Sequence, residues 1–104
     1  MSDKVKYDSL VIMKRASSPK DERRRAGLWL KELREGAGLT QLELATRLGV
    51  KYYAFVSQVE TGFSRVPNEK MECWARAVGA NPSRFARQLI SFYEPELHRV
   101  LYPR

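Results

Sequence analysis

The 104-residue chain is 43% hydrophobic and 30% charged, enough apolar side chain for one core and too much for a disordered polymer. Nineteen Lys and Arg against twelve Asp and Glu leave a net charge of +7, which favours a polyanionic partner, nucleic acid first among them. Apolar runs such as Leu10 to Met13 fall far short of the roughly 20 residues that cross a bilayer, so no membrane partner is expected. Asp3, Lys4, Lys6 and Asp8 interrupt any secretory leader. The single cysteine makes no internal disulfide, so a reducing, cytoplasmic setting is expected.

The chain divides into an N-terminal arm over residues 1–20, a helical unit over 21–80 and a closing segment over 81–104. In the arm, Leu10-Val11-Ile12-Met13 suits a short strand that must pair or pack with something else. A first helix follows from Asp21 and Glu22, whose carboxylates suit the positive end of a helix dipole, and runs to about Gly36. Ala26, Leu30, Leu33 and Ala37 form its apolar stripe. Leu28 and Trp29 lie off that stripe, so the arm, the C-terminal segment or a second subunit is expected to cover them.

The second helix opens with Thr40 as N-cap and Glu43 three residues on, a capping box, flanked by the hydrophobic staple Leu39 and Leu44. Leu44, Ala45 and Leu48 give its buried face, and Gly49 supplies the left-handed stop. A third helix is expected from Val50 to about Thr61 with Gly62 ending it. A fourth opens at Pro67, with Met71, Trp74, Ala75 and Val78 inward and Cys73 on the opposite side. Asn81-Pro82 caps a fifth, carrying Phe85, Leu89, Phe92 and Tyr93 as far as Glu94-Pro95. A short turn with Leu97, Val100 and Leu101 closes the chain.

The stretch Leu39-Thr40-Gln41-Leu42-Glu43-Leu44-Ala45-Thr46-Arg47-Leu48-Gly49-Val50, followed by a helix ending Val59-Glu60-Thr61-Gly62, resembles the helix-turn-helix of the lambda repressor and Cro group, the XRE family. The resemblance covers about residues 22–80. It implies an all-α, five-helix, lambda repressor-like DNA-binding domain whose second motif helix lies in the major groove. One departure stands out: Gly49 to Glu60 is one residue longer than the usual family spacing. Counting from Gly49 buries Gln58, whose amide would lose about 1–3 kcal/mol if unpaired. Counting back from Glu60 buries Val56 and Val59 instead. The second count is the physical one, and the extra residue is then absorbed near Lys51-Tyr52, in a longer turn or a longer helix start.

On that register the family's base-reading positions fall on Tyr53, Ala54 and Gln58, with Lys51, Tyr52 and Ser57 beside them. Gln58 can pair bidentately with adenine, Ala54 can meet a thymine methyl, and a tyrosine hydroxyl can reach a phosphate or base edge. Thr40, Gln41 and Arg65 are the phosphate candidates; the dipole and amides of the second helix favour an anion there as well. Arg34 and Glu60 match an ion pair that ties the first helix to the end of the recognition helix in the resembling repressors. Arg47 reads as a solvated face residue, and the run Arg23-Arg24-Arg25 as a wet helix face or a DNA-backbone contact.

Catalysis finds no foothold in the pattern. His98 stands without a nucleophile or carboxylate pair around it, Cys73 has nothing marking it as reactive, and one His with one Cys builds no zinc site. No cofactor and no metal is expected. The resemblance therefore implies a non-enzymatic, sequence-specific transcriptional regulator of prokaryotic or phage type, cytoplasmic and nucleoid-associated. It would be a repressor that binds double-stranded operator DNA as a homodimer. Two other readings stay open: an antitoxin-type protein that sequesters a toxin partner, and an activator that touches RNA polymerase.

Overall fold

The computed structural model describes residues 18–104. The strand expected at Leu10–Met13, with the rest of the arm up to residue 17, lies outside the described residues. Among the described residues the architecture is all-α, with no strand. In chain order it comprises α1 (Pro19–Gly36), α2 (Gln41–Leu48), α3 (Ala54–Glu60), a 3-10 turn (Asn68–Lys70) leading into α4 (Met71–Ala77), α5 (Pro82–Tyr93) and α6 (Pro95–Leu101).

The first helix starts earlier than Asp21. Ser18 caps it, its Oγ accepting from the Asp21 amide at 3.1 Å, and Pro19 takes the first turn, so residues 19 and 20 belong to α1 rather than to an arm. Its buried residues are Ala26, Gly27, Leu30 and Arg34. Leu33 is half-buried and packs against the core, as expected, while Ala37 is exposed beyond the helix end. The inward side also takes in Gly27. A Cβ there would stand 2.6 Å from the Glu60 carbonyl carbon and 2.8 Å from the Val59 oxygen. The end of α3 therefore crosses α1 backbone against backbone. That contact accounts for a glycine in a helix interior, where it costs up to about 1 kcal/mol relative to alanine.

α5 packs across α1 and α4, and α2 packs on α3 and α4, enclosing a core of Leu30, Leu44, Val56, Val59, Trp74 and Phe85, each at most 1% exposed. Trp29 lies against the rings of Phe85 (5.5 Å between centroids) and Phe92 (6.0 Å), so within the chain α5 covers it. Leu28 stays exposed. Tyr93 is buried at the end of α5 and its hydroxyl accepts from the Val66 amide at 3.1 Å; burial pushes the phenol pKa up. Cys73 is half-buried rather than outward, with Sγ 3.6 Å from the Lys70 carbonyl.

The closing segment is a sixth helix, not a turn. Proline crowds the residue before it out of the helical region, and Glu94 accordingly sits at φ −136°, ψ 67°. α5 must stop there, while Pro95 is well suited to open a new helix. Among the described residues, five helices and a tail become six helices with a bend at Glu94.

Candidate functional site

α2 is held at both ends. Thr40 Oγ1 accepts from the Glu43 amide at 3.0 Å, and the Glu43 carboxylate accepts from the Thr40 amide at 2.8 Å. These bonds hold the Glu43 carboxyl below its ordinary pKa, the Thr40 backbone N–H most of all. At the other end Gly49 adopts φ 69°, and Lys70 from the 3-10 turn donates to the Leu48 carbonyl at 3.1 Å. That lysine cap, absent from any local pattern, satisfies an orphan carbonyl with a cation at the negative end of the dipole.

The connection to α3 is longer than the sequence predicts. Residues 50–53 are not helical, and α3 begins at Ala54 with Tyr53 as an N-cap that makes no side-chain capping bond. The extra residue after Gly49 thus lengthens the turn. The helix keeps the register counted from Glu60: Val56 and Val59 are fully buried, whereas Lys51, Ala54 and Gln58 are exposed. Tyr52 is 70% and Tyr53 57% exposed. Ser57 is half-buried, the least presented of the six.

A polar hub joins α1, α2 and α3. The Arg34 guanidinium meets the Glu60 carboxylate through Nε (2.7 Å) and Nη2 (3.1 Å), and its Nη1 donates to the Leu39 carbonyl at 2.7 Å. Both side chains are nearly buried. The hydrogen bond from Arg34 to Glu60 raises the guanidinium pKa despite burial, and the two parallel N–H···O bonds make the contact bidentate. Gln41 joins it, its Nε2 donating to Glu60 Oε1 at 3.0 Å. An amide nitrogen carries two hydrogens, so Gln41 can hold Glu60 and still offer a hydrogen outward.

The structure sorts the candidates into groups. Arg34, Leu39, Thr40, Gln41, Leu42 and Tyr53 line one open cleft of about 590 Å³. Lys51 and Tyr52 line another, of about 360 Å³, with Phe55 and Pro67. The adjacent tyrosines therefore face different ground: Tyr53 stands with the start of α2, and Tyr52 with the turn. Arg65 joins neither cleft. Its guanidinium pairs with Glu94 at 2.9 Å and lies 4.5 Å from the Tyr93 ring centroid. Arg47 reaches the Ala77 carbonyl at 3.5 Å.

Two residues of this surface escape the sequence reading. Leu42, 62% exposed, turns outward beside Gln41; its position one residue after Gln41, off the Leu44–Leu48 line, is the signal that marks it. Phe63, 76% exposed, follows Gly62 in a loop without periodicity, so nothing local marks it.

The exposed face thus offers an amide, hydroxyls, a methyl group and an ammonium, the group types that hydrogen-bond and contact base edges and phosphates. Among the described residues no group of three His, Cys, Asp or Glu could hold a metal ion, and no helix is long and apolar enough to cross a membrane. His98 is half-buried against the Tyr102 ring, 5.1 Å between centroids. No protein-family model matches the chain, and no curated protein matches it.

Proposed function

We propose that this protein is a sequence-specific transcriptional regulator with a lambda repressor-like helix-turn-helix, in which α3 enters the major groove of double-stranded DNA. The observation that carries the reading is the register of α3. Its apolar residues Val56 and Val59 are buried while Ala54 and Gln58 point outward beside Tyr52 and Tyr53. An α-helix with its side chains is roughly 10–12 Å across, which fits a groove about 12 Å wide. In this reading Gln58 pairs with adenine, Ala54 meets a thymine methyl, and Lys51, Tyr52, Tyr53 and Ser57 extend the contact. Thr40 and Gln41 hold a phosphate at the start of α2, while Arg65 must leave Glu94 to reach one.

We further propose a homodimer acting as a repressor, with half-sites about one helical turn apart. Leu97, Val100 and Leu101 of α6 stand exposed and supply an apolar face for a second copy. That same face is open to two other readings, an interaction protein that sequesters a partner such as a toxin, and an activator that touches RNA polymerase.

Footprinting on the DNA upstream of the protein's own gene tests the main reading. Protection of a two-fold symmetric site, with transcription falling as protein is added, is the expected result. Absence of preference for any genomic duplex at moderate salt overturns it. Stoichiometric co-purification of a second, unlike chain favours sequestration, and rising transcription favours activation.

A further inference from the structure

We propose that the start of α1 and the loop after α3 together form a second clamp on the DNA backbone, built from Lys20, Arg23, Arg24 and Phe63. The inference rests on the reading of α3 as a groove-binding helix and extends it to a surface that the helix-turn-helix pattern does not include. In sequence, Arg23-Arg24-Arg25 is a basic run open to two readings, a wet helix face or a DNA-backbone contact, and Phe63 is a loop residue some forty positions away. The fold joins them. Gly62, directly beyond α3, has φ +86°, and a Cβ there would lie 2.7 Å from the Arg24 Cα. Only glycine allows the loop to rest on the α1 backbone at that point. Arg23 Nε then donates to the Gly62 carbonyl at 3.1 Å, fastening the loop to the helix.

The product is a cleft of about 390 Å³ lined by Lys20, Arg23, Arg24, Thr61, Gly62 and Phe63. Among the described residues no carboxylate lines it. The adjacent Asp21 is turned to Arg24 at 3.3 Å, with both side chains more than half exposed, and exposed pairs of this kind contribute little. Three cations in one cleft call for an anion. Phe63 alone would need no explanation, since scattered apolar side chains are normal on surfaces. Set beside three cations, its ring suits a partner that alternates charge with apolar surface, as phosphate and deoxyribose do.

Position favours DNA over an acidic protein. The cleft begins with Thr61, the residue after α3, and a helix about 10–12 Å across with its side chains fills a groove about 12 Å wide, so the chain leaving it emerges beside a phosphate wall. Arg65, the cation that the sequence offers for this place, does not line the cleft and is turned to Glu94 and Tyr93. Lys20 and Arg24 add to it there.

The test is a salt titration of full-length protein on its footprinted duplex and on a scrambled duplex. The double variant Lys20→Gln, Arg24→Gln is compared with Arg84→Gln, Arg99→Gln, which removes the same charge from exposed sites on α5 and α6. Thermal melts establish that both variants are folded. Each cation withdrawn from a phosphate flattens the plot of log affinity against log salt by about 0.9. The clamp variant should therefore bind with a slope shallower by about 1.8 for each bound subunit, about 3.6 for a dimer, losing affinity by the same factor on both duplexes, while the control variant keeps the wild-type slope. Phe63→Ala, which removes no charge, should weaken both duplexes and leave the slope alone. An unmoved slope in the clamp variant, or an equal change in the control, overturns the clamp while leaving the groove reading intact. So does a clamp variant that keeps its DNA affinity but loses a co-purifying acidic protein. Wild-type protein that binds no duplex overturns the groove reading, and the clamp falls with it.

Discussion

The two faces of α3 differ in how much of the molecule stands behind them. The inner face is fixed three ways: Val56 and Val59 are fully buried, the Glu60 carboxylate is locked to Arg34, and the Glu60 backbone lies on Gly27. Among the described residues nothing comparable holds the outer face of Ala54 and Gln58, or Tyr52 and Tyr53 just ahead of it; the tyrosines stand more than half exposed. A seven-residue helix is too short to form alone in water. α3 exists because its inner face is held, and the outer residues inherit their positions from that grip. Slipping the helix by one residue would rotate every outer side chain by about 100°, so the inner contacts decide which groups the outer face presents. Stability and recognition are thereby assigned to different residues of one short element.

The largest effect belongs to the hub. Glu60→Ala leaves the Arg34 guanidinium buried without its counter-charge, and breaking a buried pair in this way costs about 3–5 kcal/mol. Urea unfolding should show that loss; a change under about 1 kcal/mol would mean that water reaches Arg34 and that the inner face is less rigid than its contacts imply. Next is Gly27→Ala. The added methyl meets the Glu60 and Val59 backbone, and overpacking of this kind costs roughly 1–3 kcal/mol, partly offset by up to about 1 kcal/mol of helix propensity. A stabilised Gly27→Ala protein would show that α1 and α3 do not touch through their backbones.

The outer face should respond in the opposite sense. Gln58→Ala should leave unfolding within about 0.5 kcal/mol of wild type yet weaken binding by roughly 1–3 kcal/mol, mainly at one base pair. Unchanged sequence preference in a binding-site selection would mean that Gln58 does not read DNA. Gln41→Ala should weaken every duplex alike, because phosphates carry no sequence information; a loss confined to some sequences defeats its assignment to the backbone.

This division also explains which parts could be read from sequence. α2 was legible from end to end because its determinants are local: the cap and its acid are three residues apart, the staple brackets them, and Gly49 ends the helix. The buried Val56 and Val59 followed from the cost of the alternative, an interred Gln58. The start of α3 was not legible, since Tyr53 makes no side-chain cap and the turn length answers to the fit of the inner face. Arg34 and Glu60, 26 residues apart, meet for a reason that no periodicity carries, and only a family resemblance suggested the pair. The pairing of Arg65 was illegible for the same reason: its partner Glu94 lies 29 residues on, beyond the motif that proposed a phosphate for it. Trp29 announced itself as a misfit on its helix, but which of three elements covered it had to come from the fold.

The smallest expected effect lies at the seam between the two faces. Thr40 caps α2 and also lines the cleft that Tyr53 and Gln41 share. Thr40→Ala should cost about 1 kcal/mol of stability, whereas Thr40→Ser keeps the oxygen and should cost little. The partner carboxylate of Glu43 lets the cap be separated from the hub by pH. Its pKa is lowered in the folded protein, chiefly by the Thr40 backbone N–H and then by the Thr40 hydroxyl. A carboxyl that releases its proton more readily when folded stabilises the fold above its unfolded pKa, and loses that contribution as pH falls through the lowered folded value. Glu43→Gln keeps an oxygen for the Thr40 amide but no charge. The melting temperature of wild type should therefore exceed that of Glu43→Gln at neutral pH, and the gap should close as the solution is acidified below the ordinary carboxylate range. The gap between wild type and Thr40→Ala should shrink over the same interval, because the charged half of the box is then lost from both proteins. A gap that stays constant with pH would assign the cap's contribution to the hydroxyl alone.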